Sequence, residues 1–149
     1  MKKIIFVCLG NICRSPLAEG VAKDEIKKRG LTNIIIDSAG TSTYHNGEHP
    51  CKKSIDIALK NGVDISKQIS QHITEFDLNS YNLIVALDEL NFRDLKMEGY
   101  SNIKKLGDFG INGEDIPDPY YFHSRDKLQK VYKLIVVSVN NLLDNLNNL

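Results

Sequence analysis

The fold is decided by Ile4-Ile5-Phe6-Val7-Cys8-Leu9-Gly10-Asn11-Ile12-Cys13-Arg14-Ser15-Pro16-Leu17. Residues 4–7 are a short continuous apolar run, the pattern of a parallel strand covered on both faces. Cys8 ends that run, and residues 9–13 supply a short loop carrying Gly and Asn. Ser15 is placed to cap a helix, and Pro16 to open it where a missing N–H is tolerated. Leu17, Ala18, Val21, Ala22 and Ile26 then recur at helical spacing, with Lys23, Asp24, Lys27 and Lys28 on the other side. Arg29-Gly30 puts a cation in the last turn and glycine just beyond it.

Outward from this unit the pattern alternates. Residues 34–36 read as a second strand, and Asp37-Ser38-Ala39-Gly40 as the small-residue turn that ends it. Residues 41–50 lack periodicity and form a loop. A helix is expected over 52–61, stopped by Gly62. Residues 63–77 read as a turn with a short helical piece. Leu83-Ile84-Val85-Ala86-Leu87 is the clearest central strand, with Asp88 at its carboxyl end and a helix over 90–97. Residues 103–106 suit a weaker edge strand. Residues 107–124 form a loop long enough to expect a function for it. A final helix from about Ser124 carries the stripe Leu128, Val131, Tyr132, Ile135, Val139, Leu142, Leu143 and Leu146. Such alternation implies right-handed crossovers and a parallel sheet covered by helices on both faces, with ligands outside the strands' carboxyl ends. Cys8, Gly40, Asp88 and the 107–124 loop fall at that edge.

The 149 residues suit one domain, 1–149, and the formal net charge of +0 argues against nucleic acid or an acidic membrane as partner. No apolar run approaches a membrane span, and the N-terminus lacks a cleavage signal, so a cytoplasmic setting is expected. Three cysteines do not make a disulfide framework. Cys8 and Cys13 lack a second paired cluster, so neither a metal nor another cofactor is expected.

The first loop can do chemistry on a phosphoryl group. A loop closing onto a helix N-terminus aims several N–H groups inward, so Leu9, Gly10, Asn11, Ile12, Cys13 and Arg14 form a candidate phosphate cradle. Arg14 adds a planar fork for two phosphate oxygens. The same field favours a Cys8 thiolate, a nucleophile in line with phosphorus. Ser15 can donate a hydrogen bond to that sulfur, easing its departure from a phosphocysteine. Gly10 and Asn11 suit positive φ, and the Asn11 amide can brace the loop. The bland alternative is a cysteine serving as a small core hydrophobe.

Cys8-x5-Arg14-Ser15 directly after the first strand resembles the signature of the low-molecular-weight protein tyrosine phosphatases. The likeness continues in Ser38-Ala39-Gly40-Thr41, Tyr44-His45-Asn46-Gly47, Ala86-Leu87-Asp88, Asn91 and Asp118-Pro119-Tyr120-Tyr121. The fold then expected is α/β: a single-domain three-layer sandwich around a four-stranded parallel sheet of order 2-1-3-4. The resemblance implies hydrolysis of phosphotyrosine in proteins, and of small aryl phosphates, through a phosphocysteine on Cys8. It makes Asp118 the acid that protonates the leaving tyrosine oxygen and then activates water. Unaided, an aspartate before proline is a turn former. Tyr120 and Tyr121 would wall a slot for an aryl phosphate, and Tyr44 stands where the family often has tryptophan. Cys13 matches a loop cysteine that can trap Cys8 as a reversible disulfide. His45, His49, His72 and His123 read as surface residues. Cys51 and Gln68 depart from the family pattern, placing local packing and partner recognition in question. A monomer or weak dimer is expected.

Three rivals share parts of this pattern. A thioredoxin-coupled arsenate reductase needs two further cysteines, whereas residues 82–115 contain none and Cys51 is single. A non-catalytic phosphotyrosine-binding module would be expected to lose the nucleophile or the acid, yet Cys8, Arg14, Ser15 and Asp118 are all present. A nucleotide-binding domain would carry Gly-x-Gly-x-x-Gly after the first strand, which is lacking.

Overall fold

The computed structural model describes residues 1–148. Strand β1 (Lys2–Cys8) lies between β2 (Ile34–Gly40) and β3 (Leu83–Ala86), and β4 (Ile103–Lys105) flanks β3; every pairing is parallel. The order β2-β1-β3-β4 is the expected one. Helices α1 (Arg14–Arg29), α2 (Lys52–Lys60), α3 (Glu89–Met97) and α4 (Arg125–Asp144) complete the alternation.

The central strand explains the layering. Side chains alternate across a strand, so Ile4, Phe6 and Cys8 enter one core with Leu17, Ile57, Ile135 and Val139. Ile5 and Val7 enter a second core with Leu78, Tyr81 and Leu95 on the opposite face. Residues 4–7 are 0% exposed, and each side chain so buried contributes about 1.5–3 kcal/mol. The strand that ends at Cys8 is therefore firmly anchored, as is β3 beside it. The α4 stripe packs on the first core as expected, with Leu128 and Leu146 at its margins.

Several boundaries differ from expectation, each for a local reason. Strand β1 begins at Lys2 because Lys2 and Lys3 align with Ile34 and Ile35 in the ladder. Lys3 keeps its ammonium solvated on the Ser80 hydroxyl at 3.0 Å and over the Tyr81 ring. Residues 37–40 are strand, not turn, because Ser38, Ala39 and Gly40 continue the register against Phe6, Val7 and Cys8. Ser15 does not cap α1: Cys13 holds that position, and Ser15 and Pro16 sit inside the first turn. Pro16 still causes no loss there, since the first four helical N–H groups lack intrahelical partners. The 107–124 loop contains two 3-10 turns, Leu106–Asp108 and Pro119–Tyr121. Its middle is pinned by Ile116, fully buried, whose N–H donates to the Leu87 carbonyl at 3.0 Å. That bond brings the far loop to the carboxyl end of β3, beside the first loop. Among the described residues no helix is long and apolar enough to cross a membrane.

Candidate active site

A cavity of about 470 Å³ opens at the carboxyl end of β1, with Cys8 in its lining. The cysteine sulfur lies 3.0 Å from the Ser15 hydroxyl and accepts the Asn11 N–H at 3.3 Å. The Asn11 N–H and the Ser15 hydroxyl therefore converge on one sulfur.

Asn11 ties the loop to its surroundings. It is buried and takes φ 55°, the left-handed region that asparagine tolerates. Its amide donates to Ser15 Oγ at 2.8 Å and Ser38 Oγ at 2.9 Å, while its carbonyl oxygen accepts the Gln71 N–H at 2.9 Å. Ser38 in turn donates to the buried Glu19 carboxylate at 2.6 Å. Asn11 thus braces the loop as expected. Gly10, by contrast, is not among the positive-φ residues; a side chain there would meet the His45 ring. Gly40 presses on the loop from β2, and a Cβ would lie 2.9 Å from the Leu9 carbonyl oxygen. Only glycine lets the strand end so close to the cradle.

Arg14 is held from behind. Its Nη1 donates to Asp88 Oδ2 at 2.5 Å and to the Ile116 carbonyl at 3.0 Å. The other Asp88 oxygen caps α3 through the Asn91 N–H at 2.8 Å. Burial opposes the Arg14 charge, yet Cys8, Asp88 and Asp118 outweigh it and raise its pKa above the ordinary arginine value. Its Nη2 lies 4.0 Å from Asp118 Oδ2, beyond hydrogen-bond reach. One edge of the guanidinium is therefore fixed by protein, and the other faces the cavity lining that Arg14 shares with Cys8.

The structure brings the sequence candidates together. Cys8, Leu9, Gly10, Ile12, Cys13, Arg14, Tyr44, Asp118, Tyr120 and Tyr121 line the cavity. Asn11 and Ser15 lie beneath it, buried. Asp118 caps the Pro119–Tyr121 turn by accepting the Tyr120 N–H at 3.0 Å on Oδ1, leaving Oδ2 toward Arg14. Tyr120 and Tyr121 meet edge to face, with centroids 5.3 Å apart. Tyr44 stands at the opening, 84% exposed.

This geometry agrees with the comparisons. Residues 3–149 match the family described as low molecular weight phosphotyrosine protein phosphatase. The chain belongs to that family. It is 36% identical to the low molecular weight protein-tyrosine-phosphatase YfkJ of Bacillus subtilis, over 96% of this chain and 94% of that protein. It is 34% identical to PtpA of Staphylococcus aureus, over 97% and 93%. Among solved structures, a protein tyrosine phosphatase from Entamoeba histolytica superposes with a TM-score of 0.91 at 32% identity, covering 99% of this chain and 98% of that one. Cys8 and Arg14 fit the family's phosphatase motif.

Some contributors were hidden in the sequence. Asp88 was placed at the right sheet edge but not as the partner of Arg14. Glu19 and Ser38 support Asn11 from positions whose burial only the tertiary fold reveals. His45, read as a surface residue, lines the cavity, packs edge-on against Tyr44 and is bonded to Glu48 at 2.8 Å. Cys51 is also drawn to the loop, its N–H donating to the Ile12 carbonyl at 2.7 Å. The family's pattern at that position held no thiol to suggest it.

Proposed function

We propose that this chain hydrolyses phosphotyrosine in proteins, and small aryl phosphates, through a phosphocysteine on Cys8. The observation that carries the proposal is the convergence on Cys8 Sγ of the Asn11 N–H and the Ser15 hydroxyl, in a cavity shared with Arg14 and Asp118. The sulfur attacks phosphorus and the bond from phosphorus to the tyrosyl oxygen breaks. N–H groups of residues 9–14 and the free edge of Arg14 bind the equatorial oxygens, where transition-state charge accumulates. Asp118 delivers its proton to the departing oxygen, needed because a phenol's pKa of about 10 makes the phenolate a poor leaving group. In the second step the Asp118 carboxylate takes a proton from water as the water oxygen attacks phosphorus. The sulfur leaves as thiolate, stabilised by the Ser15 hydroxyl, and inorganic phosphate is released.

Substrate choice rests on Tyr44, Tyr120 and Tyr121. Exposed rings around an oxyanion cradle suit the flat face of a phosphotyrosine. The three free thiols are compatible with a reducing cytoplasm, and the chain is read as working there as a monomer or weak dimer.

The test is hydrolysis of a phosphotyrosine peptide and of p-nitrophenyl phosphate, with Cys8→Ser as control. Activity is expected to vanish in the variant and to resist EDTA in the parent. Turnover that survives Cys8→Ser would overturn the nucleophile assignment.

A further inference from the structure

We propose that Cys13 and Cys51 form an oxidisable thiol pair, a modification site for hydroperoxides separate from Cys8. Three bonds hold the two residues together. The Cys51 N–H donates to the carbonyl of Ile12, the residue before Cys13, at 2.7 Å. The Ser54 hydroxyl donates to the Cys13 carbonyl at 2.8 Å and lies 3.2 Å from Cys51 Sγ. Ser54 Oγ thus bridges the Cys13 backbone and the Cys51 sulfur. Both thiols are free, Cys13 buried and Cys51 half-buried.

The two sulfurs differ in character. Cys51 stands at the N-cap of α2, where the unpaired N–H groups of the helix start favour a thiolate. The neighbouring Cys13 thiol as hydrogen-bond donor, with further help from Ser54 and against the effect of burial, brings the Cys51 pKa down to about 6. The same pairing, together with burial, keeps Cys13 protonated, well above the usual thiol range. Cys51 is therefore the attacking sulfur and Cys13 the resolving one.

The chemistry balances with a hydroperoxide as oxidant. The Cys51 thiolate attacks the terminal peroxide oxygen and the O–O bond breaks. Cys51 becomes a sulfenic acid, and the departing hydroxide or alkoxide takes a proton from water. The Cys13 sulfur then attacks the Cys51 sulfur, the S–O bond breaks, and water leaves with the Cys13 proton. Two thiols and one peroxide yield one disulfide, one water and one water or alcohol. The bond links the candidate phosphate loop to α2 without consuming the nucleophile.

The test uses the full chain carrying Cys8→Ser, so that it does not depend on phosphatase activity. The protein is treated with hydrogen peroxide, remaining thiols are alkylated, and unreduced peptides are mapped by mass spectrometry. A peptide joined through Cys13 and Cys51, released by dithiothreitol, is the expected product. Adding Cys51→Ser should slow peroxide-dependent loss of the Cys13 thiol at least tenfold. Adding Cys13→Ser instead should leave Cys51 as a sulfenic acid that dimedone captures. Recovery of Cys51 as an alkylated thiol after peroxide, or its passage to sulfinic acid while Cys13 stays a thiol, would overturn the proposal.

Discussion

The two loops that face each other across the cavity are held in opposite ways. The first, residues 8–15, is cross-braced from beneath: Leu9 is exposed, but Asn11 is 3% exposed, Ser15 0%, and their polar atoms are bonded to Ser38, Gln71 and each other. The second is pinned at Ile116 and then rises into solvent, with Tyr120 65% and Tyr121 74% exposed. The Asp118 cap, the buried Pro119 and the Lys53 ammonium, which donates to the Tyr120 carbonyl at 3.1 Å, hold the backbone of its tip while the two tyrosine rings stand out. Phosphate is an invariant group, and a fixed cradle suits it. The substrate around the tyrosine varies, and an exposed aromatic rim can accommodate that variation.

Substitutions can break this contrast. Asp118→Ala should lower kcat by about 10²–10⁴ for phosphotyrosine and cost only about 0.5–1 kcal/mol of unfolding free energy, the loss of one turn cap. The loss should shrink for leaving groups of low pKa. A uniform loss across a leaving-group series would reduce Asp118 to a loop former. Arg14→Lys should lower kcat/KM by about 10²–10³, because an ammonium cannot engage Asp88 and two phosphate oxygens in one plane. Near-parental kinetics would show that charge alone suffices.

Asn11→Ala sharpens the stability side. It leaves several buried partners unpaired and puts alanine at a positive φ, so urea unfolding should show a loss of about 2–3 kcal/mol. An unchanged midpoint would mean that the loop is not held by this network. The smallest effect is expected from Tyr120→Ala: about tenfold or less in kcat/KM for a phosphotyrosine peptide, in line with one lost aromatic contact of about 0.5–1.5 kcal/mol. Its unfolding midpoint should stay at the parental value. A drop in stability comparable to that of Asn11→Ala would remove the distinction between the two loops.

The same contrast governs what the sequence could reveal. The first loop was legible because its parts are contiguous: apolar strand, small loop and helix follow one another, and the period changes where the chemistry sits. The α4 stripe was legible for the same reason, as one face repeated over several turns. What escaped depends on contacts between distant segments. Asp37 and Ser38 look like turn residues, and only the register with β1 makes them strand. Ser15 looks like a cap, but Cys13 takes that position and Ser15 falls two residues beyond it, inside the helix and beside the Cys8 sulfur. Cys51 follows an aperiodic loop, so nothing local indicated that its backbone would meet Ile12. The place of Asp118 beside the first loop was not legible locally, since the bond that brings its loop to β3 joins Ile116 to Leu87, far apart in sequence.

The bracing of Asn11 also bears on how the catalytic cycle ends. A cradle whose shape is held by protein hydrogen bonds has little reorganisation energy to recover when the anion departs. Inorganic phosphate should therefore compete with substrate for the same N–H groups and the same edge of Arg14. Its release then becomes a step that can limit turnover once the chemistry is fast, and loosening Asn11 should weaken this product inhibition along with the catalysis.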